Sequence, residues 1–528
     1  MKQIVCSAFA ILSILTYSCS KHGGDSTAGT PTLTLSRTAL TAGTFTGYTD
    51  TFTITSTVNW TLEIGTGASG WLQVDTTKGG SGKTTVKVTV ISNNTTGTQT
   101  ATLTISPVGT TAIKPQVLTV TQTAFNLVWQ KSFGGSSSDG SNGLIRTADG
   151  GYISAGQTTS NDGDVAGYRG NGDAWIIKTD VNGNKVWSKT FGGSDMDAAW
   201  SIVASTDGGY VTAGFTYSTN GDVTGNHGYQ DAWVIKMDGN GNKVWQKTLG
   251  GTANDQAMSV INTTDGGYLV SGETISGDGD VTGNHGWTDL WVVKLDASGN
   301  LLWQKTFGSS SNDYYGVVSA TSDGGYILAG TVTGNDGDVT GNHGGEDILV
   351  VKLDASGNKV WAKTFGGTGD ENAYSIIATT DGGYAVAGYT SSNDGDVTGN
   401  HGGNDMWILK LDNSGKKIWQ KTLGGSDDEQ AFSILADPNG GYMITGYTMS
   451  NDGDVTGNHG NKDLWAVKLD NNGNKLWQRA LGSSGDDWGS FVVGTTDGGF
   501  VVGGFSSTSN GDVTGNHGDP DMWIAELK

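Results

Sequence analysis

The chain has 528 residues, 87 of them glycine and only 5 proline, and the glycines keep no every-third-residue period, which excludes collagen. Asp and Glu outnumber Lys and Arg by 52 to 30, a net charge of −22 that repels a phosphate backbone and argues against a nucleic-acid partner. Eighteen tryptophans can supply a large core, which excludes wholesale disorder, and two cysteines exclude a disulfide framework.

Residues 1–19 read as an export signal. Lys2 makes a short positive region and 4–15 an apolar run, too short to span a bilayer, which needs roughly 20 apolar residues. Ser18 before Cys19 resembles the lipobox of bacterial lipoproteins, although Leu15 sits one place further from the Cys than usual. The resemblance implies acylation of Cys19, leaving no free thiol in the mature chain, with Cys6 removed. The expected address is the cell envelope, as an outer-membrane lipoprotein facing the surface or the periplasm and touching the membrane through its lipid anchor only. Residues 20–30 (SKHGGDSTAGT) are small and polar and read as a flexible tether.

Residues 31–124 read as a small β-sandwich. Six segments, 32–35, 52–55, 60–64, 84–90, 100–105 and 117–122, alternate apolar residues with Thr, Lys or Gln. The landmarks Asn59-Trp60, Trp71-Leu72, GGSG at 79–82, Asn93-Asn94 and a last strand ending in Gln122 resemble the BACON domain of bacterial surface lipoproteins. Gln99 stands where that family often has Arg. The resemblance implies a spacer or a glycan-binding module. Trp60 and Trp71 are expected in the core, not as stacking platforms.

Residues 125–528 repeat. Trp129, Trp187, Trp245, Trp303, Trp361, Trp419 and Trp477 are each 58 residues apart. One unit holds four strand-like runs, 200–204, 210–215, 232–237 and 243–249, separated by DGG, a long Gly/Asp/Asn loop and DGNGN. Four antiparallel strands repeated radially make a β-propeller blade, and seven blades are expected. The first unit opens with an orphan fourth strand at 127–133 and the last stops after its third, 521–528. The N-terminal strand is therefore expected to complete the seventh blade, leaving no free edge. The unit, as in DAWVIKMDGNGNKVWQKTLGG (231–251) and DGGYLVSGET (265–274), resembles the bacterial SBBP propeller repeat, a family with no common activity. The fold class is all-β, a sandwich followed by a propeller that is expected to be monomeric.

Features present in every unit are read as scaffold. Asp173, Asp231, Asp289, Asp347, Asp405, Asp463 and Asp521 precede the third strand, and Asp139, Asp197, Asp255, Asp313, Glu371, Glu429 and Asp487 open the first. Six first hairpins read Ser/Thr-x-Asp-x-Gly, similar to the structural Asp-box of sialidase propellers but with the aromatic residue immediately after.

The loop DGDVTGNHG, at 278–286, 336–344, 394–402 and 452–460, leaves two readings open. In one, calcium is held by the carboxylate pairs Asp278 and Asp280, Asp336 and Asp338, Asp394 and Asp396, and Asp452 and Asp454, with Asp162 and Asp164 in the first unit. In the other, the loop is hydrogen-bonded scaffold whose His ties adjacent blades. Zinc fits poorly, because one His per blade leaves the imidazoles far apart: sheets pack about 10 Å from each other, and two ligands of one zinc sit roughly 4 Å apart.

Positions that differ between units are where a ligand would be chosen. On the propeller face carrying the second-to-third and fourth-to-first loops, Trp200, Tyr229, Trp287, Tyr314, Tyr374, Phe432 and Trp488 replace small or polar equivalents and suit stacking on sugar rings or partner side chains. An enzyme is not indicated. Arg37, Arg146, Arg169 and Arg479 are too scattered for a sialidase's carboxylate site, and KLDASGNLLW (294–303) only partly resembles the tryptophan-docking motif of eight-bladed quinoproteins. The reading is a non-enzymatic envelope lipoprotein that binds glycan or protein. The alternatives are a carbohydrate-active hydrolase or lyase with channel carboxylates, and a purely structural surface protein.

Overall fold

The computed structural model describes residues 30–42, 49–91, 98–122, 126–438 and 440–528. The export signal, Cys19 and residues 20–29 of the tether lie outside these, as do Asn93 and Asn94. Among the described residues every regular element is a strand.

Nine strands build the sandwich: β1 (Leu33–Leu35), β2 (Ala39–Ala42), β3 (Thr49–Ser56), β4 (Trp60–Ile64), β5 (Leu72–Val74), β6 (Lys78–Gly79), β7 (Gly82–Val90), β8 (Gln99–Pro107) and β9 (Gln116–Gln122). They form two sheets, β1-β3-β7-β5 and β2-β9-β8-β4-β6. Alternation does the sorting: Val86, Val88 and Val90 turn inward from β7 while Lys87 turns out. Phe52, Ile54, Trp60, Leu103 and Val120 fill the core, and Trp71 joins them, as expected for both tryptophans. The six expected strands are present. β2, β5 and β6 are additional, and at two to four residues they are too short to display a period.

From Leu127 onward seven four-stranded antiparallel sheets follow one another. Blade 2 shows the plan: Asp197–Ala204, Tyr210–Thr216, Asp231–Met237 and Lys243–Leu249, running from the channel outward. Blade 7 is composite. Asp487–Gly494, Phe500–Ser506 and Asp521–Leu527 are completed by Leu127–Phe133, paired from Phe133 opposite Met522 to Leu127 opposite Leu527. The ring is a closed seven-bladed propeller.

Third strands are buried along their whole length and second strands along all or all but one residue, so their apolar residues face the neighbouring blades. One core sits at each junction; between blades 2 and 3, Val211, Ala213 and Val234 meet Val260, Val270 and Trp291. The 58-residue tryptophans ride on the next blade. Trp187 of blade 1 lies 6.4 Å from the Tyr210 ring of blade 2 and against Gly241. The first hairpins are locks, as read: Asp265 Oδ1 accepts the Gly267 N–H at 3.1 Å and a hydrogen bond from Thr263, and pairs with the buried Lys294.

Candidate functional site

The face carrying the second-to-third and fourth-to-first loops, here the top face, is organised by buried carboxylates. At each junction the acid before one blade's third strand meets the acid opening the next blade's first strand, and these pairs are at most 1% exposed. Between blades 4 and 5, Asp347 and Glu371 converge on Gly366, where a methyl group would lie 2.5 Å from an oxygen of each. Only glycine permits that approach. The first-strand acid is well satisfied: Asp255 accepts the Gly251 N–H and the Ser276 hydroxyl at 2.8 Å and a bond from Thr274. Its partner Asp231 accepts from the His227 N–H and binds His227 Nδ1 at 2.7 Å, and its other oxygen is buried without a hydrogen-bond partner. Burial, with the facing carboxylate adding to it, raises Asp173, Asp405 and Asp313 most. Asp173 and Asp405 reach about 6 and Asp313 about 7.

The GDVTGNHG loops are tied down by hydrogen bonds. Asn284 Nδ2 donates to the Ser276 carbonyl at 3.0 Å and its Oδ1 accepts from Gly286. Outside blade 3, the two acids of a loop serve different partners. Asp278 accepts from the Thr252 N–H and hydroxyl, and Asp394 from the same groups of Thr368. Asp162, Asp336 and Asp452 bond the N–H groups of Ser136, Ser310 and Ser426. Asp164, Asp338, Asp396 and Asp454 pair with Lys185, Lys359, Lys417 and Lys475. Among the described residues no three His, Cys, Asp or Glu side chains are placed to hold one metal ion. The His ties its own blade: Nδ1 always goes to the Asp four residues on, and only His285 Nε2 reaches the next blade, 3.9 Å from Asp338. Blade 1 has Arg169 in that place, and it pairs with Asp222 of blade 2.

The variable aromatics fall into two groups. Around the channel mouth they contact one another in a continuous row from blade 4 to blade 7. Tyr314 contacts Tyr315 at 6.1 Å, Tyr315 contacts Tyr374 at 5.2 Å, Tyr374 contacts Phe432 at 5.0 Å, and Phe432 lies parallel to Trp488 at 5.7 Å. Trp200, in blade 2, packs on Phe215 instead. On the outer rim Tyr229 and Trp287 stand free, 74% and 72% exposed, with Met196 and Ile275 also exposed. Tyr229, Met196, Tyr217 and Asn171 line an open cleft of about 420 Å³ between blades 1 and 2.

Four residues with no counterpart in the other blades complete the mouth and were not singled out by sequence: Glu273, Tyr315, Glu346 and Lys462. Glu273 is the next-to-last residue of a second strand, where other blades carry Gln157, Phe215 or Tyr389. Glu346 and Lys462 immediately precede a third strand. Comparing these columns as well would have found them. Lys462 Nζ lies 4.4 Å from the ring centroids of both Tyr447 and Trp488.

No known family model matches the chain. The regulatory protein FlaEY of Caulobacter vibrioides is 25% identical over 228 residues, which is 39% of this chain. The chain spans only 23% of that relative's length. Among solved structures, Sqt1 from Chaetomium thermophilum is 10% identical at a TM-score of 0.39, over 76% of this chain and 99% of that one. The Hadza microbial sialidase Hz136 is 11% identical at 0.37, over 77% and 78%. A GH5 xyloglucanase of Bacteroides ovatus, in complex with a XXXG heptasaccharide, is 19% identical at 0.16, over 23% and 30%. Likenesses this distant carry nothing about activity.

Proposed function

We propose that the chain is a lipid-anchored, non-enzymatic protein of the cell envelope whose propeller binds a glycan on its top face. The observation that carries this is the exposure of Tyr229 and Trp287 on neighbouring blades, whose counterparts elsewhere are Asn171, Gly345, Gly403, Asn461 and Asp519. A flat aromatic face held in water costs free energy that stacking against a sugar ring recovers, and tyrosine and tryptophan add a polar edge for hydroxyls. The cleft beside Tyr229 gives the ring a wall. The BACON-like sandwich then acts as a spacer that lifts the propeller from the membrane.

A glycan array with the purified protein tests the reading, with Trp287→Ala and Tyr229→Ala as controls. Each is expected to weaken binding tenfold or more and leave the melting temperature unchanged, because neither ring is packed. Bound oligosaccharide should be recovered intact; its cleavage would establish the hydrolase alternative. For the anchor, Cys19→Ala is expected to move the protein from the membrane to the soluble fraction and to abolish acyl labelling. Unchanged membrane association would refute lipidation.

A further inference from the structure

The seven units allow each position to be compared with six equivalents in the same chain, and symmetry breaks most sharply at the channel mouth of blades 3 to 5. Tyr315 occupies a place that is Ser141, Ala199, Ala257, Ala373, Ala431 or Gly489 elsewhere. It is the only non-glycine residue with positive φ among those described, at 60°. The other six first strands skip one residue in their pairing with the second; blade 4 skips two, from Tyr314 to Val317. The Tyr315 N–H, released from the ladder, donates to Glu273 Oε2 of blade 3 at 3.0 Å. A bulky residue in the left-handed region is retained only where its surroundings hold it there, a signature of ligand sites.

Glu273 and Glu346 frame this tyrosine. Glu273 accepts from Gln256 Nε2 at 2.6 Å, and Glu346 from Asn372 Nδ2 at 2.6 Å. Asn372 also bonds the Tyr389 hydroxyl at 2.9 Å and accepts from Thr331 at 3.1 Å, so the amides are pinned. Both carboxylates act on Tyr314 and Tyr315 together, since each phenol is raised by burial and then by the two glutamates. Tyr314, Tyr315, Tyr374, Glu273 and Glu346 are all half-buried, neither sealed in the core nor free. The partners recorded for the two carboxylates are amides and backbone, with no basic side chain paired to either among the described residues.

The opposite end of the same aromatic ladder shows what this environment accepts. There Lys462, at the position of Glu346 two blades on, lays its ammonium against two rings at once. At blades 3 to 5 the rings remain, two carboxylates replace the lysine, and the cation is missing from the chain itself. An ammonium group satisfies tyrosine faces and carboxylates together.

We propose that the channel mouth between blades 3 and 5 binds an amino sugar through its ammonium group, with Glu273 and Glu346 as counter-charges and Tyr314, Tyr315 and Tyr374 as ring faces. This rests on the glycan reading above and names a class of sugar within it.

Calorimetric titration of the full protein at pH 6 with a glucosamine tetramer, its fully N-acetylated counterpart and hexalysine tests the proposal. The glucosamine tetramer is expected to bind at least tenfold more tightly than the other two. Glu273→Gln should remove that preference. Tyr315→Gly should weaken the glucosamine tetramer tenfold or more while the melting temperature holds or rises, because glycine takes this backbone without strain. Loss of binding with no loss of stability separates a ligand contact from a structural role. Equal binding of the two tetramers, wild-type affinity in Tyr315→Gly, or binding of hexalysine alone would each overturn the proposal. Equal binding that Trp287→Ala abolishes would overturn the amino-sugar site and leave the rim reading standing.

Discussion

Lys185, Lys243, Lys359, Lys417 and Lys475 each reach from the start of a fourth strand to the second Asp of the same blade's loop. Blade 3 has Leu301 there, and Asp280 Oδ2 is left buried with no hydrogen-bond partner. Leu301→Lys should supply the missing charge. An exposed pair contributes about 0.2–1 kcal/mol, and relief of an orphaned acceptor adds to that, so a gain of about 1 kcal/mol is expected. It is read as a rise in melting temperature that disappears in an Asp280→Asn background. Because the paired acids of these loops, Asp280 apart, already have separate partners, a chelator is expected to leave the melting curve in place. A fall of several degrees, restored by millimolar calcium, would give the loops back to the calcium reading. The loop motif was plain in sequence, yet its two carboxylates looked like a pair because they are two residues apart. Their divergence follows from lysines 21 residues downstream and hydroxyls 26 upstream, which only the fold brings in.

At the scale of strands, repetition made most elements legible. The third and fourth strands of blade 2 begin and end within a residue of expectation, whereas its first begins at Asp197, three residues before the alternating run. The cause is a bulge: pairing jumps from Ala199 to Ser201, and the unpaired Trp200 breaks the period of two. The same bulge recurs in every other blade but the fourth, where it is one residue longer, so the positions richest in variable aromatics are those where alternation misleads. Closure belongs to this scale. Leu127–Phe133 supplies a full edge, with Trp523 Nε1 donating to Gln130 at 2.8 Å and Trp129 Nε1 to Glu526. Deleting residues 1–134 should therefore lower the melting temperature far more than deleting 1–122, which removes only what precedes the ring. Equal melting temperatures would show that the ring closes without this strand.

For the whole molecule, the ring of buried carboxylate pairs sets the response to pH. Asp173, Asp405 and Asp313 have folded pKa values raised above the unfolded ones, so the stability they contribute is complete below about pH 4 and is lost as pH rises through about 6 for Asp173 and Asp405 and about 7 for Asp313. Asp149, Asp265, Asp323, Asp381 and Asp497, lowered to about 2 by hydroxyl and lysine partners, act in the opposite sense and lose their contribution only as pH falls below about 4. The melting temperature is expected to peak near pH 5 and to decline toward pH 8. Asp313→Asn should flatten that decline by removing one charge facing Asp289, a gain of roughly 1–2 kcal/mol at pH 8. A melting temperature that climbs from pH 5 to pH 8 would contradict this.

By itself the sequence determined the architecture. A 58-residue period with four strand signals per unit, and a chain cut between third and fourth strands, admits one economical closed form, because hydrophobic alternation and turn chemistry act over a few residues and repeat faithfully. It also pointed to the rim aromatics, which differ from their counterparts in plain view. Tertiary structure alone decided that Tyr314, Tyr315, Tyr374, Phe432 and Trp488 form one row of ring contacts, that the blade junctions bury paired acids beside a glycine, and that Glu273, Tyr315 and Glu346 meet at one place. Those residues come from two neighbouring blades, 31 to 73 positions apart. Contacts between them depend on how neighbouring sheets pack round the channel, and no local pattern along the chain carries that distance.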